Sequence, residues 1–243
     1  MSRAFEVTRE VDLPVSADDV WTAITAAPAA WMFPTGMEIP PGGAPPEGAP
    51  ITTWDPPVRL VIRTQSPDGT FNALDYWIEA RAGGTAHLRY VHSGILSDEW
   101  EDQYDAIGAH TDFYLHTLGE YLAHFNGRSV TYVGQPSAGI EGPEAAGSPE
   151  AMDLLRAALQ ISSDAVAGDK VRADLGTGET LVGVIDYNTT EFLGVRTTDG
   201  LYRFFGRNFF NGTVGMSVHL FVDGVDEQMH EAQLKDWLDG IYA

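Results

Sequence analysis

The chain has 243 residues, 44% of them hydrophobic and 20% charged, which is enough for one large globular domain or two small ones. Its 35 acids against 14 lysines and arginines give a net charge of −21, which disfavours nucleic acid and anionic membranes as partners. There is no cysteine, so disulfides, thiol nucleophiles and cysteine-ligated metal sites are excluded.

No apolar run is long enough to span a bilayer. The start MSRAFEVTREV has no apolar signal core. A cytoplasmic protein without membrane insertion is expected. Residues 5–13 alternate, with Phe5, Val7, Val11 and Leu13 on one parity and Arg9 as a charge among them, which predicts a strand. Pro14 ends it. Ser16 with Asp19 three residues on is a capping box, and Val20, Trp21 and Ile24 form the apolar side of a short helix stopped by Pro28. Residues 31–50 are rich in proline and glycine, so they predict a long loop. Its Trp31, Met32, Phe33, Met37 and Ile39 either tuck into the core or form a lid over a pocket.

Strands are expected at 51–54, 58–65, 71–82 and 85–92, with Pro67-Asp68-Gly69 and Gly83-Gly84 as turns. The longest regular element is a helix over 97–125. It has Ser97 as N-cap, acids in the first turn, and Trp100, Tyr104, Ile107, Thr111, Leu115, Leu118, Leu122 and Phe125 on one stripe. Strands with helices segregated to one face make an α+β sheet, and the stripe has to bury against its concave side.

Three stretches, WDPPVRL (54–60), GGTAHLRYVHSGI (83–95) and DEWEDQYDAIGAHTDFYLHTLGEYL (98–122), resemble the bacterial SRPBCC (START-like) proteins. Within them they are similar to the branch named after the activator of heat-shock protein 90 ATPase (Aha-like). The resemblance covers residues 5–126. It implies a helix-grip fold, in which a curved antiparallel sheet grips a long C-terminal helix with a cavity between them. Relatives include binders of lipids and hormones, polyketide aromatase/cyclases and co-chaperone domains, so the resemblance indicates fold more than function.

In the second half, 128–147 opens with a strand-like SVTYVG and reads as a Gly/Pro-rich linker. Ser148-Pro149 is a helix start, with Met152, Leu155, Ala158 or Leu159 and Ser162 on its apolar side. Strands are expected at 170–175, 180–187, 191–197, 201–206 and 214–222. A last amphipathic helix over 226–242 is expected to carry Val225, Met229, Ala232 and Trp237 on its stripe. The order of the first half recurs, and Gly212-Thr213 echoes Gly84-Thr85 before the last strand. The expected organisation is a helix-grip domain at 1–127, a linker at 128–147 and a second, shortened helix-grip-like domain at 148–243. An open sheet edge in the shortened copy would favour a homodimer.

Alternation places Leu74, Tyr76 and Ile78, and Leu88, Tyr90 and His92, on the gripped face, leaving Asp75, Trp77, Glu79, His87 and Arg89 outside. The candidate ligand-binding residues are Trp31, Phe33, Trp54, Tyr76, Tyr90, His92, Trp100, Tyr104, Ile107, Thr111, Leu115 and Leu118, an aromatic lining with scattered hydroxyls. The alternative is a filled core. His92 and Ser93 point to opposite faces and cannot act as a base and nucleophile, and no nucleophile elbow is present.

His110, His116 and His124 lack the spacing of a metal pair, so no metal, cofactor or catalytic residue is assigned. Glu99, Glu101, Asp102 and Asp105 read as solvated acids at a helix N-terminus. Cross-strand pairs with Asp75 and Glu79 account for Arg63 and Arg89. Arg9 on the apolar parity either breaks register or anchors a ligand carboxylate. The expected function is non-catalytic binding of a small hydrophobic or aromatic molecule. The alternatives are a cyclase/aromatase-like enzyme using Tyr90, His92 or Tyr104, and a co-chaperone-like module. The additional N-terminal domain on which Aha-type activity depends in eukaryotic members has no counterpart before the first strand, which counts against the last.

Overall fold

The computed structural model describes residues 3–96, 100–162, 164–176, 178 and 180–243, and their side chains except at 96 and 100–103. The chain divides into two compact units, Met1–Pro28 with Gly36–Asn126, and Ala29–Thr35 with Gly127–Ala243. No helix among the described residues is long and apolar enough to cross a membrane.

The first unit is α+β. It contains β1 (Arg3–Leu13), α1 (Ala17–Thr25), β2 (Ile51–Asp55), β3 (Arg59–Gln65), β4 (Phe71–Arg81), β5 (Thr85–Leu96) and α2 (Trp100–His124). The sheet runs β1-β5-β4-β3-β2, every pair antiparallel, so the first strand pairs with the last. The local chemistry accounts for the boundaries. The Ser16 hydroxyl accepts from the Asp19 amide at 3.2 Å while the Asp19 carboxylate accepts from the Ser16 amide at 3.2 Å, closing the capping box that opens α1. Asp68 accepts from the amide and hydroxyl of Thr70 at 3.0 and 2.6 Å, and Gly69 at φ 88° supplies the left-handed position of that turn.

Helix α2 lies alongside β1 and runs in the same direction. Tyr104 donates to the Glu6 carbonyl at 3.4 Å, Arg9 grips Asp112, and a Cβ on Gly119 would sit 4.0 Å from Leu13. The lengths agree, since the strand from Glu6 to Leu13 and the helix from Tyr104 to Gly119 each advance roughly 23 Å. The stripe residues Thr111, Leu115, Leu118, Leu122 and Phe125 are buried. The helix also buries a second stripe, Phe113, Thr117 and Tyr121, which the one-stripe reading omits. The expected cap Ser97 lies outside the described residues, as do Glu99 and the side chains of Trp100, Glu101 and Asp102.

On the outer face the ion pairs differ from those expected. Asp75 is held by Arg59, not Arg63, with hydrogen bonds of 3.1 and 2.8 Å. The direct cross-strand neighbour of Arg63 is Ala73, and its guanidinium lies 3.7 Å from the centre of the Phe71 ring instead. Arg89 reaches Glu10, its neighbour on β1, at 3.8 Å, and Glu79 pairs with Arg81 at 3.0 Å.

The second unit contains β6 (Thr131–Val133), β7 (Ile140–Glu141), α3 (Ala151–Ala158), β8 (Lys170–Asp174), β9 (Thr180–Asn188), β10 (Phe192–Arg196), β11 (Gly200–Gly206), β12 (Val214–Leu220) and α4 (Glu227–Ile241). Its sheet runs β6-β12-β11-β10-β9-β8, with β7 also on β12. The rule is that of the first unit: the first strand pairs with the last, and the others follow in reverse. Residues 128–147, expected as a linker, carry β6 and β7 and pair with β12, so they belong to this sheet. Helix α3 begins at Ala151, later than the Ser148-Pro149 signal, because Ser148 is extended and its carbonyl accepts from the Ala151 amide at 3.1 Å in a preceding turn.

The core joins Met152 and Leu155 of α3, Leu234 and Leu238 of α4, and Val195, Phe204, Met216 and Val218 of the sheet. Of the stripe expected on α4, Val225 and Trp237 pack against this core, whereas Met229 is 50% exposed and Ala232 is exposed, and the fully buried positions are Leu234 and Leu238. The other face of this sheet holds a buried ion pair, Arg203 with Asp186, 1% and 3% exposed, at 2.8 Å. These residues sit on β11 and β9 with β10 between them. Gly194 stands between them on β10, where a Cβ would come within 2.4 Å of both Arg203 Nη1 and Asp186 Oδ1.

Candidate functional site: the gripped face of the first unit

Register puts the inward side chains of the first sheet into rows. One row runs Val7, His92, Leu74, Ile62, and the next runs Arg9, Tyr90, Tyr76, Leu60, Trp54. The following row, Val11, Leu88 and Ile78, leads toward Leu13.

The two ends of this face differ in packing. Leu13, Ile78, Leu88 and Leu118 are 3% exposed or less. At the other end Ile62, Leu74, His92 and Ile107 are only half-buried, and Tyr104 is 38% exposed. The apolar lining is buried throughout at one end of the grip; at the other, Phe5 and Val7 are buried while Ile62, Leu74, His92 and Ile107 are partly exposed.

Of the expected ligand-binding residues, Tyr76, Tyr90 and His92 are neighbours. The tyrosine rings are 5.0 Å apart, and His92 lies 6.4 Å from Tyr90 and 5.1 Å from Phe5. Trp54 is half-buried and packs edge-on against Trp21 of α1 at 4.8 Å. Thr111, Leu115 and Leu118 are buried along α2. Trp100 lies outside the described side chains.

Trp31 and Phe33, expected at the mouth of the pocket, fall in the second unit. The reason is a long-range tie: His219 on β12 donates from Nδ1 to the Ala29 carbonyl at 2.8 Å, which holds the start of their segment in that unit. A carbonyl can only accept, so the proton sits on Nδ1.

Arg9 does face the gripped side, but its charge is answered. It donates to both carboxylate oxygens of Asp112 on α2, at 2.5 and 3.0 Å, and its guanidinium passes over Gly108.

The electrostatics of the cluster are set by burial. Burial pushes the hydroxyls of Tyr76 and Tyr90 above their ordinary range. It pushes His92 down to about 4, so the ring is neutral at neutral pH. That ring hydrogen-bonds through Nε2 to the Asn72 side-chain oxygen at 2.6 Å.

No family model matches the chain, and no curated protein does. Solved structures do. DynU16, a protein of the dynemicin biosynthetic locus, is similar at 14% identity and a TM-score of 0.39, covering 98% of this chain and 95% of its own. The di-domain ARO/CYC protein BexL of the BE-7585A pathway is similar at 13% identity and a TM-score of 0.34, covering 96% and 98%. The Aha1 dimer from Colwellia psychrerythraea is similar at 15% identity and a TM-score of 0.37, covering 49% of this chain and 96% of that one. The chain is similar to Aha1-like and ARO/CYC structures. Function is read below from the residues of the site.

Proposed function

We propose that the first unit binds a small hydrophobic or aromatic molecule at the open end of its gripped face, without transforming it. The observation that carries this reading is the asymmetry of the lining, sealed at Leu13, Ile78, Leu88 and Leu118 and half-open at Ile62, Leu74, His92, Ile107 and Tyr104. Apolar groups left partly in water at about 25 cal/mol per Å² favour a ligand that covers them. The neutral ring of His92 and the protonated hydroxyls of Tyr76 and Tyr90 add hydrogen-bonding capacity but no charge, which suits a neutral ligand with one or two polar groups.

The cyclase-like alternative rests on the same trio. A general acid or base works best with a pKa near the working pH. Burial drives His92 down to about 4 and both tyrosines up, away from that range in opposite directions. The trio supports orientation of a ligand better than proton transfer.

Native mass spectrometry of the protein as purified tests the proposal. A retained small-molecule mass that is lost in a Leu74→Trp variant of unchanged fold is the expected result. A retained mass that Leu74→Trp leaves in place puts the ligand elsewhere and overturns it. Conversion of the released molecule by fresh protein, abolished by His92→Gln, would favour the enzyme.

A further inference from the structure

A second, independent pocket lies wholly within the second unit, where the β10–β11 turn, the segment after β12 and the start of α4 meet the beginning of β9. It holds about 540 Å³, within the range of small-molecule sites, roughly 300–1,000 Å³. Two features of its lining belong together. Val182, Val222 and Met229 line it and are 55%, 38% and 50% exposed, three of the large apolar side chains left in water among the described residues. Scattered exposed apolar residues are ordinary, but several converging on one concavity mark a binding surface. Asp199 and Asp223 line the same pocket and are exposed. Asp226, also in the lining, is committed as the N-cap of α4 and accepts from the Met229 amide at 3.0 Å.

His230, one residue on, lines the pocket too. Its Nδ1 is buried and has no hydrogen-bond partner among the described residues. A buried ring nitrogen without a partner is costly, and a polar group of a ligand would satisfy it.

We propose that this pocket binds a small amphipathic organic cation, an amine whose apolar body covers Val182, Val222 and Met229 and whose ammonium meets Asp223 and Asp199. Charge decides the class. The start of α4 contributes about half a positive charge, answered by its own cap Asp226. Arg128 lies 3.8 Å from Asp199 and offsets part of that carboxylate, which leaves Asp223 as the main counter-charge. The net charge of −21 concentrates cations around the whole molecule and reinforces the same preference. A neutral apolar molecule would gain the same burial without the ion pair, and an anion would be repelled.

The test is calorimetry on the full chain with 2-phenylethylamine, 2-phenylethanol and 3-phenylpropanoate, with methyl NMR to locate binding. The amine is expected to bind about twofold to fivefold more tightly than the alcohol, as one exposed charge pair supplies. The carboxylate is not expected to bind. Shifts are expected at the methyls of Met229, Val182 and Val222. Asp223→Asn should bring the amine down to the alcohol's affinity with an unchanged melting temperature. Should that variant fail to fold, the wild-type chain answers the same question. Raising the ionic strength from about 0.02 M to about 0.3 M should weaken the amine and not the alcohol. Equal binding of amine and alcohol, amine binding indifferent to Asp223→Asn and to salt, no binding of either, or shifts confined to Ile62, Leu74 and Ile107 would each overturn the proposal. The last outcome would leave the reading of the first unit standing.

Discussion

His92 and His219 are both held neutral by burial, one on each sheet, and that gives the protein a particular response to acid. In the unfolded chain each titrates near 6.5, whereas in the fold His92 is lowered to about 4 and His219 to about 3. For His219 burial is the main cause, the bond to Ala29 partly opposes it, and the Arg203 charge adds to it. A depressed folded pKa means that the unfolded chain binds more protons between the two values, so stability rises with pH there. Unfolding free energy is therefore expected to fall as pH drops from 6.5 toward 4, by up to about 1.4 kcal/mol per pH unit for each histidine. Urea titrations at stepped pH check this, and His92→Gln should flatten the slope; an unchanged slope in that variant would count against a buried neutral ring.

Arg9 makes a second prediction at this scale. Both partners of its pair with Asp112 are about 40% exposed (39% and 41%). Such pairs contribute about 0–1 kcal/mol, so Arg9→Met should change the melting temperature little. It should also leave the affinity for a neutral ligand intact, where a carboxylate anchor would lose it. The position of Arg9 on the inward parity was legible in the sequence. Its partner was not, because Asp112 is 103 residues away and one face over from the main stripe.

Among the elements, the strand alternation and the capping box of α1 were legible because they depend on neighbours within a few residues. The stripe of α4 was legible only in part for the converse reason, Val225 and Trp237 packing against the core as expected. Met229 and Ala232 satisfy a helical spacing, but the buried positions are Leu234 and Leu238, fixed by where the sheet meets the helix. The segment with Trp31 and Phe33 was assigned to the wrong unit because a hydrogen bond from His219, 190 residues on, decides its place.

Gly194 is the sharpest element-scale case. It lies inside the strand expected at 191–197, and it makes room for the buried Arg203–Asp186 pair across β10. Gly194→Ala should separate that pair. Breaking a buried pair costs about 3–5 kcal/mol, far more than the ordinary effect of such a substitution. A chemical denaturation midpoint close to wild type would contradict this account.

At the scale of the whole molecule, one threading rule is used twice, with the first strand beside the last and the others in reverse order. In the second unit the gripped face is filled by a core of leucine, valine, methionine and phenylalanine. In the first, the side chains are fully buried at one end and partly exposed at the other. A homodimer through the second sheet would add a strand to β8, whose alternate residues Lys170, Arg172 and Asp174 are exposed. Charges along an edge oppose strand addition, so sedimentation velocity is expected to return a monomer; a dimer whose affinity falls on perturbing β8 would reverse that.

The central claim is that the half-open end of the first gripped face is where this protein meets its ligand. Its most direct test is a methyl NMR titration of the full chain with a neutral aromatic such as 2-naphthol. The account predicts saturable shifts at Ile62, Leu74 and Ile107, with the buried methyls of Leu88 and Leu118 moving little. No saturable shift at those three, or shifts only around Met229, would contradict it.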